Sequence, residues 1–338
     1  MDFWRYAFIF LSCLVFLPSC DSNSYDVDVS DVQLGLTFYN TDSLLSHARP
    51  GDYVKTRNVL MQQDQEITRY LFGYCYGIRL KPDLQFQQEV QSYYSNAYIQ
   101  KLEKEIATKF KGEKRKEAGL KTAFLHLKYH FPKGRFPSKI HYVNSRFTAS
   151  VFCTETSVAI GLERYLGAKN PCIKELPNQP FYSWIKEGME ADYLQRDVVL
   201  GWLSTHYIAE TNENFASEMI RWGKLLFITK ACLPDHPEHS LFRYTKKDHQ
   251  YAITHERALW QFLIDEQLLY NSGEDPKQSL LKDGPFSMGL PAESPDRMGQ
   301  FLGYQIVSQY MEDNDVSLKQ LINTPYLKIL QSYKPKKK

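Results

Sequence analysis

The chain has 338 residues, with 41 lysines and arginines against 39 aspartates and glutamates, which gives a formal net charge of +2. This near balance lacks the basic excess that is typical of nucleic-acid-binding proteins, so we expect no nucleic-acid partner. The length suits one large domain or two modest ones, and we favour one.

The chain opens with a secretory leader. One positive charge, Arg5, precedes an apolar stretch from Tyr6 to Leu17, which is the charge and hydropathy pattern of a signal peptide. The stretch has about a dozen residues, whereas a helix needs roughly 20 to span a bilayer. A cleaved leader is therefore favoured over a permanent membrane helix.

The leader ends in Leu17-Pro18-Ser19-Cys20, with an apolar residue three positions before the cysteine and a small residue just before it. This arrangement is typical of a bacterial lipobox. An ordinary signal peptide with an incidental cysteine is the alternative, but a polar run starts directly after Cys20. Cys13 is a poorer candidate because it lies inside the apolar stretch. We predict that residues 1–19 are a lipoprotein signal peptide and that Cys20 is lipidated.

Lipidation of Cys20 predicts where the protein works. Each buried methylene contributes about 0.8 kcal/mol to membrane binding, and a bacterial lipoprotein typically carries more than one acyl chain. We expect the folded part to be held at the cell membrane or the outer membrane, facing the periplasm or the exterior. Residues 20–31 are acidic and polar, and they predict a lipidated N-terminus followed by a flexible tether.

Residues 32–338 are predicted to form a single α+β, helix-rich domain with a small central sheet. Val32 to Tyr39 alternates apolar and polar residues with the period of a half-buried strand. Short β-prone runs follow in the middle third, and apolar residues at three- and four-residue spacing indicate helices on both sides of them. The β-prone runs are 139–143, 150–154 and 157–162, and the helical stretches lie within 52–111, 192–210, 214–232, 249–270 and 295–312.

Four cysteines follow the predicted lipid anchor: Cys75, Cys153, Cys172 and Cys232. Export permits disulfides, with three possible connectivities, and the sequence does not choose among them. For Cys75 a buried free thiol is at least as favoured as a bridge. The sequence has no CxxC pair, so we expect neither a thiol-redox site nor a cysteine-zinc site.

Histidines come nearest to a metal-binding motif. His126 and His130 have the ligand spacing of HExxH, but Leu127 stands where the general-base glutamate is required. His255 begins an HE dipeptide without a second histidine, and a catalytic zinc normally needs three protein ligands. His206 has the spacing of a helical side-chain pair with Glu210. We predict no metal ligands among these residues.

Other catalytic signatures are missing from the sequence, which has no GxSxG elbow, no Walker A motif and no dinucleotide-binding glycine pattern. We therefore predict a protein that is not an enzyme, without catalytic, cofactor-binding or metal-binding residues, and with Cys20 as its one site residue. A ligand-binding lipoprotein is a further possibility, for which the candidate wall residues are Tyr93, Tyr94, Trp184, Trp202 and Trp222. Such side chains more often build the core, so only a deep pocket lined by them would favour it.

The C-terminal part contains a helix with a marked glycine spacing. Ser294, Pro295 and Asp296 are good N-cap and first-turn residues. Gly299 and Gly303 lie one turn apart and leave a smooth strip where another backbone can approach closely. We expect this strip to serve internal helix packing rather than a partner site.

Five sequence blocks stand out in chain order: YHFPK at 129–133, IGLERYLG at 160–167, EMIRWGKLLF at 218–227, SPDRMGQFLGYQIVSQYM at 294–311 and YKPK at 333–336. Together they resemble the GldB family of gliding-motility lipoproteins of the Bacteroidetes. The resemblance covers almost the whole mature chain, and the lipobox agrees with it independently. It implies a protein needed for gliding in gliding species, with no established enzymatic activity and with envelope or gliding-apparatus proteins as partners. Similar proteins also occur in relatives that do not glide.

The resemblance further implies a distant kinship with zincin-type metallopeptidases, and so a degenerate zincin fold. In that fold the strand at 157–162 would take the edge position and residues 197–206 would form the active helix, which here has no HExxH. Arg221-Trp222-Gly223 stands where an acidic ligand would precede the glycine. The alternative function is an envelope peptidase or hydrolase of zincin type with a non-standard metal site.

Overall fold

A computed structural model describes Tyr25, residues 27–112 and residues 114–335, with the side chains of 114–116 left out. The predicted signal peptide at 1–19, the lipidation site Cys20 and residues 336–338 lie outside the described residues. Within them, no helix combines the length and the apolar character needed to cross a membrane.

A four-stranded mixed sheet forms the centre of the domain. Its strands are β1 (Thr37–Asn40), β2 (Lys139–Val143), β3 (Val151–Cys153) and β4 (Ser157–Gly161). The spatial order is β1-β2-β4-β3, with β1, β2 and β4 parallel and β3 antiparallel to β4. All residues of β4 are buried, as expected for a strand that is covered on both faces. The prediction that β4 takes the edge position is wrong, because the short β3 pairs along its outer side.

Helices cover both faces of this sheet. Ile140 and Val158 point into the larger core, and Val143 and Ala159 point into the smaller one, because side chains alternate along a strand. The smaller core is closed by the N-terminal helices α1 (Thr41–Ser46), α2 (Tyr53–Gln63), α3 (Gln65–Arg69), a π-helical turn (Tyr70–Tyr76), α4 (Asp83–Tyr94) and α5 (Ala97–Lys109).

The larger core is closed by the remaining helices. They are α6 (Lys114–His130), α7 (Pro171–Lys174), α8 (Ser183–Glu187), α9 (Leu194–His206), α10 (Phe215–Cys232), α11 (Glu238–Leu241), α12 (Lys246–Asp265), α13 (Glu274–Leu281), α14 (Met298–Asp313), α15 (Leu318–Asn323) and α16 (Tyr326–Ser332). The predicted helix-rich α+β architecture with a small central sheet is confirmed. The kinship with zincins stays a prediction.

Helices α10 and α14 form the most extensive helix pair of the domain. A Cβ added to Gly303 of α14 would lie 2.0 Å from the carbonyl oxygen of Met219, and one added to Gly299 would lie 2.9 Å from that of Leu280. Such distances leave room only for glycine, so the predicted role of this strip in internal packing is confirmed.

The start of α14 differs from the prediction. The helix begins at Met298, whose N–H donates to Ser287 Oγ at 3.1 Å, and Arg297 precedes it with a left-handed φ of 55°. The predicted N-cap, Ser294, lies four residues upstream and does not cap the helix. Asp296, predicted as a first-turn residue, lies before the helix. Its carboxylate accepts from the Gly284 N–H at 3.1 Å and pairs with Arg297.

The segment before β1 is in part docked on the domain. Tyr25 packs edge-on against Phe227 of α10, with ring centroids 5.3 Å apart, and against His130 of α6 at 5.9 Å. Farther along, Lys128 Nζ donates to the Gln33 carbonyl at 2.6 Å. Tyr25, which belongs to the predicted flexible tether at 20–31, therefore contacts the folded domain, while Cys20 to Ser24 and Asp26 lie outside the described residues.

The four cysteines after the anchor are free thiols, so none of the three disulfide connectivities is formed. Cys172 and Cys232 are fully or almost fully buried. Burial raises the pKa of Cys75 to about 11 and that of Cys153 to about 12. Thiols with such pKa values carry little thiolate at neutral pH and are poor nucleophiles.

Candidate functional site

A charged cavity of about 240 Å³ lies where the turn after β4 meets α8, α9, α10 and α14. Its walls combine four guanidinium groups with two carboxylates, two indole rings and one amide. These side chains are Arg164, Arg196, Arg243, Arg297, Asp283, Asp296, Trp184, Trp222 and Gln300. Guanidinium groups are the donors that proteins use most for carboxylate and phosphate groups. The cavity is therefore the strongest candidate site among the described residues.

Asp197, at the start of α9, organises one wall of the cavity. Arg196 Nη1 donates to Asp197 Oδ1 at 3.0 Å, Arg243 forms a short ion pair with Oδ2, and the Tyr165 hydroxyl donates to Oδ2 at 2.9 Å. Burial alone would raise the pKa of Asp197, but the two guanidinium groups outweigh it and hold the pKa below its usual value. Asp197 is therefore a fixed negative charge that holds two arginines in place.

Arg297, a second arginine of the cavity wall, is fixed by its own pair of carboxylates. Its Nη1 lies 2.9 Å from Asp283 Oδ1, and its Nη2 lies 2.9 Å from Asp296 Oδ1. The left-handed backbone at Arg297 turns the chain into α14 at this point. Burial raises the pKa of Asp296, while Arg297 and the Gly284 N–H act in the opposite direction.

Arg164 differs from the other three arginines of the cavity. Its Nη2 donates to the Phe147 carbonyl, and its Nε is buried without a hydrogen-bond partner. Among the described residues no carboxylate lies within ion-pair distance of it. The adjacent Glu163 is fully buried, and its Oε1 accepts from the Ser145 hydroxyl and from the backbone N–H of Phe147. Burial lowers the pKa of the Arg164 guanidinium.

Two of the five aromatic residues predicted as possible ligand contacts, Trp184 and Trp222, lie in the wall of this cavity. Trp202 does not, since it is completely buried in the larger core and donates to the Arg135 carbonyl at 2.9 Å. Tyr93 and Tyr94 pack against each other in the smaller core, with ring centroids 4.9 Å apart. Tyr93 also lines a cavity of about 510 Å³, and Tyr94 lines one of about 810 Å³. The structure thus places four of the five predicted aromatic residues in the walls of three cavities and Trp202 in the core.

The four histidines singled out in the sequence lie on three different helices. His126 and His130 are near the end of α6, His206 ends α9, and His255 is exposed on α12. His206 Nε2 contacts the Thr154 carbonyl at 2.9 Å, and His255 Nδ1 contacts that of Tyr251 at 2.8 Å. Within residues 27–112 and 114–335, no three histidine, cysteine, aspartate or glutamate side chains are grouped to hold a metal ion. The predicted pairing of His206 with Glu210 is wrong, because α9 ends at His206.

A second polar array, which the sequence did not indicate, joins the start of α1 and the strands β2 and β4 to the N-cap of α3. Thr41 Oγ1 lies 2.9 Å from His141 Nδ1, His141 Nε2 lies 3.5 Å from Asp64 Oδ2, and Ser157 Oγ donates to Asp64 Oδ2 at 2.5 Å. The order hydroxyl, imidazole, carboxylate is that of a catalytic triad. Thr41 and His141 are each only 1% exposed, so a substrate has no access to them. The array is a structural connection between the sheet and α3.

Comparisons with known proteins agree with the sequence motifs. A family model described as gliding motility protein GldB matches residues 22–335. The chain belongs to the GldB family. No curated protein and no solved structure matches it.

Three of the blocks that carry the likeness to the GldB family also build the cavity. IGLERYLG supplies Arg164, EMIRWGKLLF supplies Trp222, and the block at 294–311 supplies Asp296, Arg297 and Gln300. Sequence reasoning missed the site because its arginines lie far apart in the chain and follow no fixed spacing. One signal was present: Arg196-Asp197 is a pair of opposite charges at the start of the otherwise apolar helix α9.

Proposed function

We propose that this GldB-family chain is a cell-envelope lipoprotein, anchored through acyl chains on Cys20, and that it is a non-catalytic component of a motility or envelope machinery. The observation that carries the proposal is the family match, which begins at residue 22 and runs to residue 335. The matched part starts two residues after the predicted anchor. Its extent supports a mature protein that consists of a short lipidated N-terminus and one GldB-like domain.

The docking of Tyr25 supports a defined placement at the membrane. Tyr25 lies five residues after Cys20, and five extended residues span at most about 18 Å. Because Tyr25 is packed against α6 and α10, the acyl chains would hold that side of the domain close to the lipid surface. Envelope or gliding-apparatus proteins would then meet the remaining surface.

The chemistry of the cavity favours binding over catalysis. Asp197 is held ionised by two guanidinium groups, and Asp283 and Asp296 are both paired with Arg297. A general base needs a pKa near the working pH and access to the proton that it removes. Carboxylates that are bound by arginines serve instead to fix those arginines in place.

The anchor is tested by mass spectrometry of the mature N-terminus, combined with membrane fractionation, for the wild type, Cys20→Ala and Cys13→Ala. Cys13→Ala is the matched control, because it removes the other cysteine among the first 20 residues. We expect acylation at Cys20 and recovery in membranes for the wild type and Cys13→Ala, and loss of both for Cys20→Ala. An unmodified Cys20, or a mature chain that starts elsewhere, would refute the anchor.

A role in binding partner proteins is tested by a pull-down from membranes, with the lipidated protein compared with Cys20→Ala. We expect the lipidated form to capture envelope proteins and the unlipidated form to capture smaller amounts of them. A zinc titration of the mature domain tests the alternative peptidase or hydrolase. Tight, stoichiometric zinc binding that is lost on replacement of His126, His206 or His255 would contradict the non-catalytic proposal.

A further inference from the structure

We infer that the arginine cavity is a binding site for a ligand that carries one oxyanion group, a carboxylate or a phosphate, with Arg164 as the residue that receives it. This site goes beyond the proposed function and does not depend on it. The inference rests on the charges of the cavity, on the burial of its polar groups and on its two indole rings.

The fixed charges of the cavity leave one guanidinium without a counter-ion. Asp197 pairs with Arg196 and Arg243, and Arg297 pairs with Asp283 and Asp296. Four guanidinium groups thus face three carboxylates, and Arg164 is the one without a carboxylate partner among the described residues. The buried carboxylate of Glu163 acts on Arg164 electrostatically but makes no ion pair with it, so a negative group on a ligand would give Arg164 an ion-pair partner.

The burial of these arginines makes a counter-ion favourable. Arg196 is 6% exposed, and burial lowers the pKa of both Arg196 and Arg164. A guanidinium stays protonated in proteins, so it cannot escape the cost of burial by losing its proton. Of its donors, Arg164 uses Nη2 on the Phe147 carbonyl, while its Nε is unpartnered. An oxyanion at this point would accept from Nε and supply the missing charge.

Gln300 is an independent sign of a missing ligand. It is 3% exposed and lines the cavity. Its Nε2 donates to the Leu281 carbonyl at 2.7 Å, which fixes the orientation of the amide and leaves Oε1 without a hydrogen-bond partner. A buried carbonyl oxygen without a donor is costly. We therefore expect the ligand to carry a hydrogen-bond donor near its oxyanion.

The remaining wall sets the size and polarity of the ligand. Trp184, Ile185, Met189 and Trp222 form its apolar part. A cavity of about 240 Å³ is at the small end for a ligand site. It suits a small acid, or the charged end of a longer molecule, with an apolar group beside the anion.

The experiment measures saturable binding to the purified mature chain by thermal unfolding and by tryptophan fluorescence. The carboxylate probe is mandelate, whose α-hydroxyl is a hydrogen-bond donor beside the carboxylate, and the neutral control is mandelamide. The phosphate probe is inorganic phosphate, and each is compared with sodium chloride at equal ionic strength. We expect at least one of the two anions to raise the midpoint of unfolding saturably, and mandelamide and chloride to leave it unchanged. The anion that binds more tightly shows whether the oxyanion of the ligand is a carboxylate or a phosphate.

The variants assign the binding to the cavity. Arg164→Gln removes the unpaired guanidinium and should weaken binding tenfold or more. Arg69→Gln, at an exposed arginine of α3, is the matched control and should bind as the wild type does. If Arg164→Gln fails to fold, Arg164→Lys is tested in its place. It keeps the positive charge but lacks the planar guanidinium donors, so it should bind the anions measurably more weakly than the wild type does.

Two results would overturn the site. One is equal affinity of the wild type and the Arg164 variants for the anions, and the other is a lack of saturable binding by either anion. In either case the arginines would be a structural ion-pair network. Because N-terminal acylation and membrane recovery are measured separately, failure of this site is distinguishable from failure of the proposed anchor.

Discussion

Gly223 of α10 and Gly303 of α14 lie in direct backbone contact where the two helices cross. A Cβ on Gly223 would be 2.1 Å from the carbonyl oxygen of Gly303, a distance that no real Cβ contact reaches. The contact brings Trp222 and Gln300 to the same cavity. The closeness of this helix pair is thus part of what builds the candidate site.

Alanine at either glycine should therefore destabilise the protein strongly. We expect Gly223→Ala and Gly303→Ala each to lower the free energy of unfolding by about 1–3 kcal/mol or more, as for overpacked cores. Gly73→Ala is the control, because that glycine is exposed in a helical turn and has open space around it. It should be neutral or stabilise by a few tenths of a kcal/mol up to about 1. Urea unfolding measures the free energy of unfolding of the three variants. Equal changes in Gly73→Ala and in the other two variants would contradict the packing argument.

Removal of the Asp197 carboxylate should leave two buried arginines without their counter-ion. Loss of one partner from a buried ion pair costs about 3–5 kcal/mol, and we expect Asp197→Asn to destabilise the protein by an amount in that range. Asp52→Asn is the control, since Asp52 pairs with Arg49, whose side chain is 85% exposed, and exposed pairs contribute about 0–1 kcal/mol. Chemical unfolding of both variants tests this, and a loss below 1 kcal/mol for Asp197→Asn would argue against the network.

Asp64 should make the stability of the protein depend on pH on the acid side. Burial alone would raise the pKa of Asp64, but the neighbouring His141 imidazole and hydrogen bonds from Ser157 and the Ile67 N–H outweigh it and hold the pKa well below its usual value. A carboxyl group whose pKa is lower in the folded state stabilises above its unfolded pKa of about 3.9, and this contribution is lost as the pH falls.

The stability difference between the wild type and Asp64→Asn should therefore be constant above about pH 5 and shrink as the pH falls below about 4. Asp265→Asn, at an exposed position that ends α12, should show little such change. Urea unfolding across this pH range measures the difference. A difference that grew towards low pH would contradict the assignment.

Lys224 should make the stability of the protein depend on pH on the alkaline side as well. Its Nζ donates to the carbonyls of Ile322 and Thr324 at 3.1 and 2.6 Å, and burial lowers its pKa to about 8. The unfolded chain keeps this proton up to about pH 10.4. Between these pH values the unfolded state binds more protons, so stability rises with pH.

The stability of the wild type relative to Lys224→Met should therefore increase from about pH 8 to pH 10. Lys319→Met, at an exposed lysine of α15, corrects for the other groups that titrate in this range and should show no such increase. Denaturant unfolding at several pH values measures both. If the stability difference between the wild type and Lys224→Met stayed constant or decreased over this pH range, the lowered pKa of Lys224 would be contradicted.

The sequence predicted those features that depend on local patterns. The β-prone runs predicted at 139–143 and 157–162 correspond to β2 and β4, because β-branched and aromatic residues favour strands. The helical spacing predicted over 214–232 corresponds to α10, because a buried helix face imposes its period on the residues that form it. The spacing of Gly299 and Gly303 predicted a close helix contact in the same way. The start of α14 was placed wrongly, because Ser287, which is distant in sequence, accepts from the first helical N–H.

The tertiary structure alone decided where the charged site lies. Arg164, Arg196, Arg243 and Arg297 belong to four separate segments, and only the packing of α9 against the sheet and of α14 against α10 brings their side chains to one cavity. Burial then turns ordinary arginines into groups that need a counter-charge, and burial is a property of the packed domain rather than of any short motif. The predicted leader, the cysteine that follows it and the family blocks each consist of consecutive residues, so the sequence by itself was enough to indicate them.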